Sequence, residues 1–175
     1  SMLIGVSGAS CSGKTTLAPQ MSECLKSPTY HLDRHFIERA ERPIVNGMPS
    51  FEQPHQYDGT ALLDEVVEAI DSHEHLVVEG FLLFTYPGFT SICDQMIHLD
   101  VPHEILAQRR ERRRLGEGAS DVNGGRISAA DDAWSRHGRE EWLRYGDLQA
   151  RIPGVQIVRP GETHPECPVD ICSTL

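Results

Sequence analysis

One stretch near the N-terminus has the residue types and the spacing needed to hold a chain of phosphates. Gly8 to Thr15 fits the pattern G-x-x-x-x-G-K-[ST], which is the P-loop. Its glycines let the backbone curl so that N–H groups surround a phosphate, and a following helix adds partial positive charge. The lysine reaches the β- and γ-phosphates, and the threonine hydroxyl is a ligand for Mg²⁺. The predicted nucleotide contacts are Gly8, Ala9, Ser10, Cys11, Ser12, Gly13, Lys14, Thr15 and the following Thr16.

Three carboxylates follow short apolar runs, where strands are expected to end. Asp33 suits a base that accepts or orients the proton of an acceptor hydroxyl. Glu79 suits a second Mg²⁺-holding group, acting through water, beside Thr15. Asp100 competes for that metal role, but Val101-Pro102 starts a helix at once, which favours a turn. A plain strand-end turn is the alternative for Asp33 and Glu79 as well.

Five arginines lie within six residues of an otherwise acidic chain, just before a glycine-rich stretch at 116–125. Such a basic helix face can clamp a phosphoryl group during transfer. Arg109 and Arg113 share one helix face, and Arg110 shares the next face with Arg114. The competing interpretation is a solvated charged face, to which we assign Arg112 and Arg114.

The elements that position these residues alternate between short apolar strands and helices. Strands are predicted at 3–6, 29–32, 76–78, 96–99 and 155–158. Helices are predicted at 14–26, 60–72, 102–114 and from Ser128 to Pro153. This alternation predicts an α/β fold in three layers with a five-stranded parallel sheet, whose ligands bind at the carboxyl ends of the strands.

Composition and charge narrow the classes of function and partner. The chain has 175 residues, which predicts one domain over 1–175, and a formal net charge of −10. An acidic chain argues against a general nucleic-acid binder or an anionic-membrane binder. Five cysteines without a C-x-x-C pair indicate free thiols. With no apolar run of membrane-spanning length and no leader-like N-terminus, we expect a cytoplasmic protein whose oligomeric state is open.

Taken together, these residues resemble the nicotinamide riboside kinase and uridine kinase group of P-loop kinases over about residues 2–158. The opening through Thr16 is similar to that group's P-loop, and the run E-G-F-L-L-F from Glu79 is similar to that of nicotinamide riboside kinases. The resemblance implies ATP and Mg²⁺ as cofactors. It also implies a mobile lid over about 109–126 and an acceptor segment over about 33–58.

The same resemblance implies roles for individual residues. Asp33 and Phe36 match a D-x-x-F element in which the aspartate is the catalytic base, and both residues would contact the acceptor. Tyr57 would lie against the base of a nucleoside, and Asp58 would bind its ribose hydroxyls. Among the lid arginines, Arg110 would contact the acceptor ribose, while Arg109 and Arg113 would contact the phosphates.

One departure from the family keeps the acceptor open. Nicotinamide riboside kinases hold the pyridine ring between two aromatics, and Leu115 stands where the second would be. We therefore expect γ-phosphoryl transfer to a nucleoside-like hydroxyl, of the nicotinamide riboside or uridine and cytidine type. The alternatives are a kinase for a sugar, a pantothenate-like compound or a nucleoside monophosphate, and a nucleotide-binding regulator without transfer.

Overall fold

The strands form where the sequence has short apolar runs. A computed structural model describes residues 1–9, 14–45, 47–50, 53–114 and 139–159. Within that part of the chain the strands are β1 (Met2–Gly8), β2 (Thr29–His31), β3 (Ile44–Val45), β4 (Met48–Pro49), β5 (His75–Glu79), β6 (Gln95–Leu99) and β7 (Val155–Val158).

The main sheet has five parallel strands in the order β2-β5-β1-β6-β7, which confirms the predicted sheet. The central strand β1 is buried along nearly its whole length, as expected for a strand covered on both faces. β3 and β4 form a separate antiparallel hairpin inside the stretch that the sequence marks as a long polar loop. All five strands of the main sheet end at one edge, so the residues that follow them meet there.

The helices of the described chain cover both faces of this sheet. They are α1 (Lys14–Leu25), α2 (Gly59–Ile70), α3 (Pro87–Ile92), α4 (His103–Arg114) and α5 (Arg139–Ala150). Leu17 and Met21 of α1 pack on one face, against Ile4 and Val77. On the other face, α2 and α3 bury an apolar cluster formed by Leu3, Leu32, Leu62, Val66, Leu76, Val78, Phe84 and Phe89. The three predicted layers are therefore present.

One strand end and one additional helix show where the structure departs from the sequence prediction. The second strand stops at His31, because Leu32–His35 turns into a 3₁₀ helix with Leu32 fully buried at its start. The short helix α3 was not predicted; its Pro87 occupies the first helical turn, a position that proline favours. The predicted helix start at Ser128 lies outside the described residues. No helix in the described part of the chain is long and apolar enough to cross a membrane.

A buried polar pair joins the central strand β1 to its neighbour β6. Ser7 and His98 are opposite each other in the register, and Ser7 Oγ lies 2.7 Å from His98 Nδ1. Burial lowers the pKa of His98 from 6.5 to about 4, and the nearby Asp100 opposes this shift only in part. The imidazole is therefore neutral in the folded protein at physiological pH.

This pair predicts a pH dependence of stability. His98 stays neutral in the folded chain but gains a proton near pH 6.5 when unfolded, so unfolding takes up protons between pH 6.5 and 4. The contribution of His98 to the free energy of unfolding is fully present above pH 6.5. It falls by roughly 3 kcal/mol in all as the pH drops towards 4. Urea unfolding of the wild type and of His98→Gln across this range measures it. Parallel stability curves for the two proteins would show that His98 is not held neutral.

Candidate nucleotide and acceptor site

The carboxyl edge of the sheet brings the P-loop strand beside the predicted metal-binding carboxylate. Glu79 is the last residue of β5 and pairs in register with Val6 of β1 and with His31 of β2. The N–H of Gly80 donates to the carbonyl of Val6 at 3.0 Å, so this pairing continues beyond the end of β5. Glu79 therefore lies between the strand that leads into the P-loop and the strand that leads into Asp33.

Glu79 is a buried carboxylate with one oxygen satisfied and the other free. The residue is 1% exposed, and its Oε1 accepts from His31 Nδ1 at 2.8 Å. Its Oε2 is also buried and has no hydrogen-bond partner among the described residues. Since an unpaired buried carboxylate oxygen is costly, this atom calls for a cation or a donor from outside the described chain.

Lys14 is the first residue of α1 and is only 5% exposed. Its ammonium group makes no hydrogen bond or ion pair with any residue that the structure describes. A buried cation at a helix N-terminus, where backbone N–H groups are also free, fits an anion such as a phosphate. Other predicted nucleotide contacts lie outside the described chain, namely Ser10, Cys11, Ser12, Gly13 and the side chains of Thr15 and Thr16.

The donor set at this edge suits magnesium bound together with a nucleotide. Across the described ranges there is no group of three or more His, Cys, Asp and Glu side chains that could hold a metal by themselves. Mg²⁺ commonly uses one or two protein oxygens and completes its shell with phosphates and water. The free Oε2 of Glu79 fits that requirement.

Asp33 lies in the 3₁₀ turn Leu32–His35 and is exposed at the same edge. The turn is held close to β5 because Leu32 packs on Gly80. A Cβ added to Gly80 would lie 2.5 Å from Leu32 Cβ, so only glycine allows this approach. The packing of Leu32 on Gly80 thus fixes the backbone next to Asp33 and next to Glu79. The Asp33 carboxylate stays open to solvent.

The segments that contain Phe36 and Tyr57 pair with each other. The two residues form an antiparallel bridge, supported by bonds from Ile37 N to Gln56 O and from Asp58 N to His35 O, both 2.8 Å. The Tyr57 ring meets Phe36 edge-on at 5.4 Å between centroids. It meets Phe81 in the same way at 5.2 Å. A continuous aromatic wall, formed by Phe36, Tyr57 and Phe81, therefore runs beside the Asp33 turn.

Asp58 has a structural task that the sequence analysis did not anticipate. Its Oδ1 accepts from Ala61 N at 2.9 Å and so caps the N-terminus of α2. The carboxylate is exposed, and Oδ1 is committed to the cap. Phe51 and Glu52, from the same predicted acceptor stretch, lie outside the described residues.

The aromatic wall is anchored from behind by side chains that sequence patterns did not single out. Tyr86 Oη donates to the Pro54 carbonyl at 2.7 Å, and Tyr145 Oη donates to Gln53 Oε1 at 2.7 Å. Burial, assisted by Asp58, raises the pKa of Tyr86 well above its usual value, which keeps the phenol protonated as a donor. Only the three-dimensional packing reveals these contacts, since their partners are 32 and 92 residues away.

The arginine-rich helix α4 is seated against the P-loop strand. Leu106 is fully buried and packs with Val101 and with Ala9, one of the predicted nucleotide contacts. Arg109 and Arg110 follow Leu106 by three and four positions and are half-buried, whereas Arg112 is exposed. The side chains of Arg113 and Arg114, Leu115 and the rest of the predicted lid lie outside the described chain.

Asp100, the rival metal ligand, is used to join the last two strands. Its N–H donates to the Val158 carbonyl at 2.9 Å, and its Oδ2 accepts from Arg159 Nε at 3.1 Å. Its side chain is 48% exposed, unlike that of Glu79. The contacts therefore favour the strand-end interpretation for Asp100.

A family model and two known proteins match large parts of this chain. A family model described as an AAA domain matches residues 4–129. Human nicotinamide riboside kinase 1 is 27% identical over 128 residues, covering 63% of this chain and 64% of that protein. The match thus spans just under two thirds of that relative. A uridine kinase of Ligilactobacillus salivarius is 22% identical over 144 residues, covering 66% of this chain and 68% of that protein.

A solved structure supports the fold independently of close sequence similarity. The shikimate kinase of Acinetobacter baumannii, in complex with shikimate, superimposes with a TM-score of 0.56 at 18% identity, covering 98% of this chain and 89% of that one. The predicted resemblance and the predicted fold are both confirmed. The family match covers well over half of the sequence, and the chain therefore belongs to the AAA domain family, with the fold of the P-loop kinases.

Proposed function

We propose that this protein is an ATP-dependent kinase that transfers the γ-phosphoryl group to a hydroxyl of a nucleoside-like small molecule. The observation that carries the proposal is a pair of residues of opposite charge at the carboxyl edge, each at most 5% exposed. They are Lys14 and Glu79, and the Oε2 of Glu79 has no hydrogen-bond partner among the described residues. A phosphate chain satisfies the first group, and a magnesium ion bound to that chain satisfies the second.

In this proposal the P-loop holds the phosphates of ATP, and Thr15 and Glu79 hold the metal. Mg²⁺, when bound, neutralises charge on the β- and γ-phosphate oxygens. Glu79 acts directly or through water, with His31 fixing its orientation by the 2.8 Å contact. Arg109 and Arg113 add positive charge at the transferring group as the lid closes over 109–126 and excludes water.

Asp33 is the proposed base. The acceptor hydroxyl oxygen attacks the γ-phosphorus, the bond from that phosphorus to the bridging oxygen of ADP breaks, and the hydroxyl proton passes to the Asp33 carboxylate. The exposed position of Asp33 suits this role, since the carboxylate makes no hydrogen bond to any described residue and is free to meet a substrate.

The aromatic wall supports a planar ring as part of the acceptor. Phe36 and Tyr57 supply the flat apolar surface, while Arg110 and a free oxygen of Asp58 supply polar contacts for a sugar diol. The kinship to kinases of nicotinamide riboside and of uridine favours a nucleoside over a sugar or shikimate. We therefore place the acceptor segment at 33–58 and propose the nucleoside 5′-hydroxyl as the nucleophile.

Acceptor-dependent ADP release tests the reaction and the acceptor class together. The purified protein with Mg-ATP is offered nicotinamide riboside, uridine, cytidine, shikimate or a hexose, and Lys14→Ala serves as the control for contaminating kinases. We expect one of the nucleosides to stimulate release at least tenfold over the sample without acceptor. Stimulation by shikimate or the hexose alone would move the acceptor class. ATP binding without stimulation by any acceptor would favour a nucleotide-binding regulator.

The base assignment predicts the behaviour of Asp33→Asn. The substitution keeps the size of the side chain and removes the proton acceptor, so kcat should fall by about a hundredfold or more while ATP binding remains. Steady-state kinetics with the nucleoside that stimulates ADP release give kcat, and calorimetric titration measures the affinity for ATP. A kcat within a factor of three of the wild type would move the base elsewhere, with Glu79 the next candidate.

A further inference from the structure

We propose that Tyr145 positions the aromatic wall, so that α5, which follows the predicted lid in sequence, affects the affinity for the acceptor. The inference rests on the proposed kinase function. It concerns a residue on α5, far from the predicted acceptor segment in sequence.

Gln149 attaches α5 to the turn that follows Glu79. This side chain is fully buried, and both ends of its amide are used. Its Oε1 accepts from Phe84 N at 3.0 Å, and its Nε2 donates to the Phe81 carbonyl at 2.9 Å. Because Phe81 contacts Tyr57, α5 holds the turn after Glu79 that supports the aromatic wall.

α5 is also attached to the acceptor segment itself. Tyr145 lies one helical turn before Gln149, and the Nε2 of Gln149 also donates to the Tyr145 carbonyl at 3.3 Å. The Tyr145 hydroxyl reaches Gln53 Oε1 at 2.7 Å. The same helix therefore binds the turn after Glu79 through Gln149 and the acceptor segment through Tyr145.

Gln53 is linked to the aromatic wall through Gln56. Gln53 N donates to Gln56 Oε1 at 2.9 Å, and the buried Gln56 amide in turn donates to the Ser50 carbonyl at 2.7 Å. The Gln56 carbonyl accepts from Ile37, next to Phe36. A displacement of Gln53 should therefore reach the Gln56–Ile37 side of the Phe36–Tyr57 bridge, beside the Asp33 turn.

The hydrogen bonds of this network join α5 to Phe81, Phe84 and Gln53, and none of them involves Gly8, Ala9 or Lys14, the P-loop residues that the structure describes with their side chains. Loss of the Tyr145 hydroxyl should make the aromatic wall more mobile and leave the contacts of Lys14 and Glu79 unchanged. A role confined to general stability would instead lower the melting temperature without distinguishing the acceptor from ATP.

Tyr145→Phe tests the proposal by removing one oxygen atom. We expect KM for the nucleoside acceptor to rise about 3- to 10-fold, the effect of losing one neutral hydrogen bond, with KM for ATP within a factor of two. The matched control is Tyr30→Phe, because the Tyr30 hydroxyl makes no hydrogen bond with any described residue. This control should leave both KM values unchanged.

Hydrogen–deuterium exchange of the protein alone provides a second readout. Peptides covering residues 53–58 should exchange several-fold faster in Tyr145→Phe than in the wild type or in Tyr30→Phe. Unchanged acceptor KM in an active variant, or unchanged exchange over 53–58, overturns the proposal while the kinase function stands. Absence of turnover by the wild type with every acceptor overturns the proposed function, and this inference with it.

Discussion

The buried carboxylate of Glu79 is the constraint on which the arrangement of the site depends. A carboxylate that is 1% exposed and satisfied on only one oxygen is stable in the fold only where a counter-charge is available. The parallel register places it beside Val6, on the strand that leads into the P-loop, and beside His31, which precedes the Asp33 turn. The strand that leads into the P-loop and the turn that holds the proposed base Asp33 are thereby arranged around one charged group.

The predictability of the fold follows from the pattern of burial. β1 and β5 are covered on both faces, so their residues form continuous apolar runs that a sequence reveals. β2 has intermediate burial throughout and lies at an edge of the sheet, and its predicted end was one residue too late. The tight packing of Leu32 on Gly80, which ends β2, depends on a residue almost fifty positions away and leaves no local signal.

The site divides in the same way between local motifs and tertiary contacts. Lys14 and Glu79 belong to local patterns, and the sequence indicated both. The partner of Glu79 did not follow from any pattern, since His31 is a lone histidine until the strand register is known. The helix-capping task of Asp58 and the link from Tyr145 to Gln53 likewise emerge only when distant segments pack together.

Calorimetric titration of ATP with and without Mg²⁺, for the wild type and for Glu79→Gln, tests the central role of Glu79 most directly. The glutamine keeps the size of the side chain and can still meet His31, so the fold should survive. We expect Mg²⁺ to tighten ATP binding to the wild type by about tenfold or more. The variant should lose most of that gain and keep its metal-free affinity. Equal tightening by Mg²⁺ in both proteins would contradict the assignment of Glu79 to the metal.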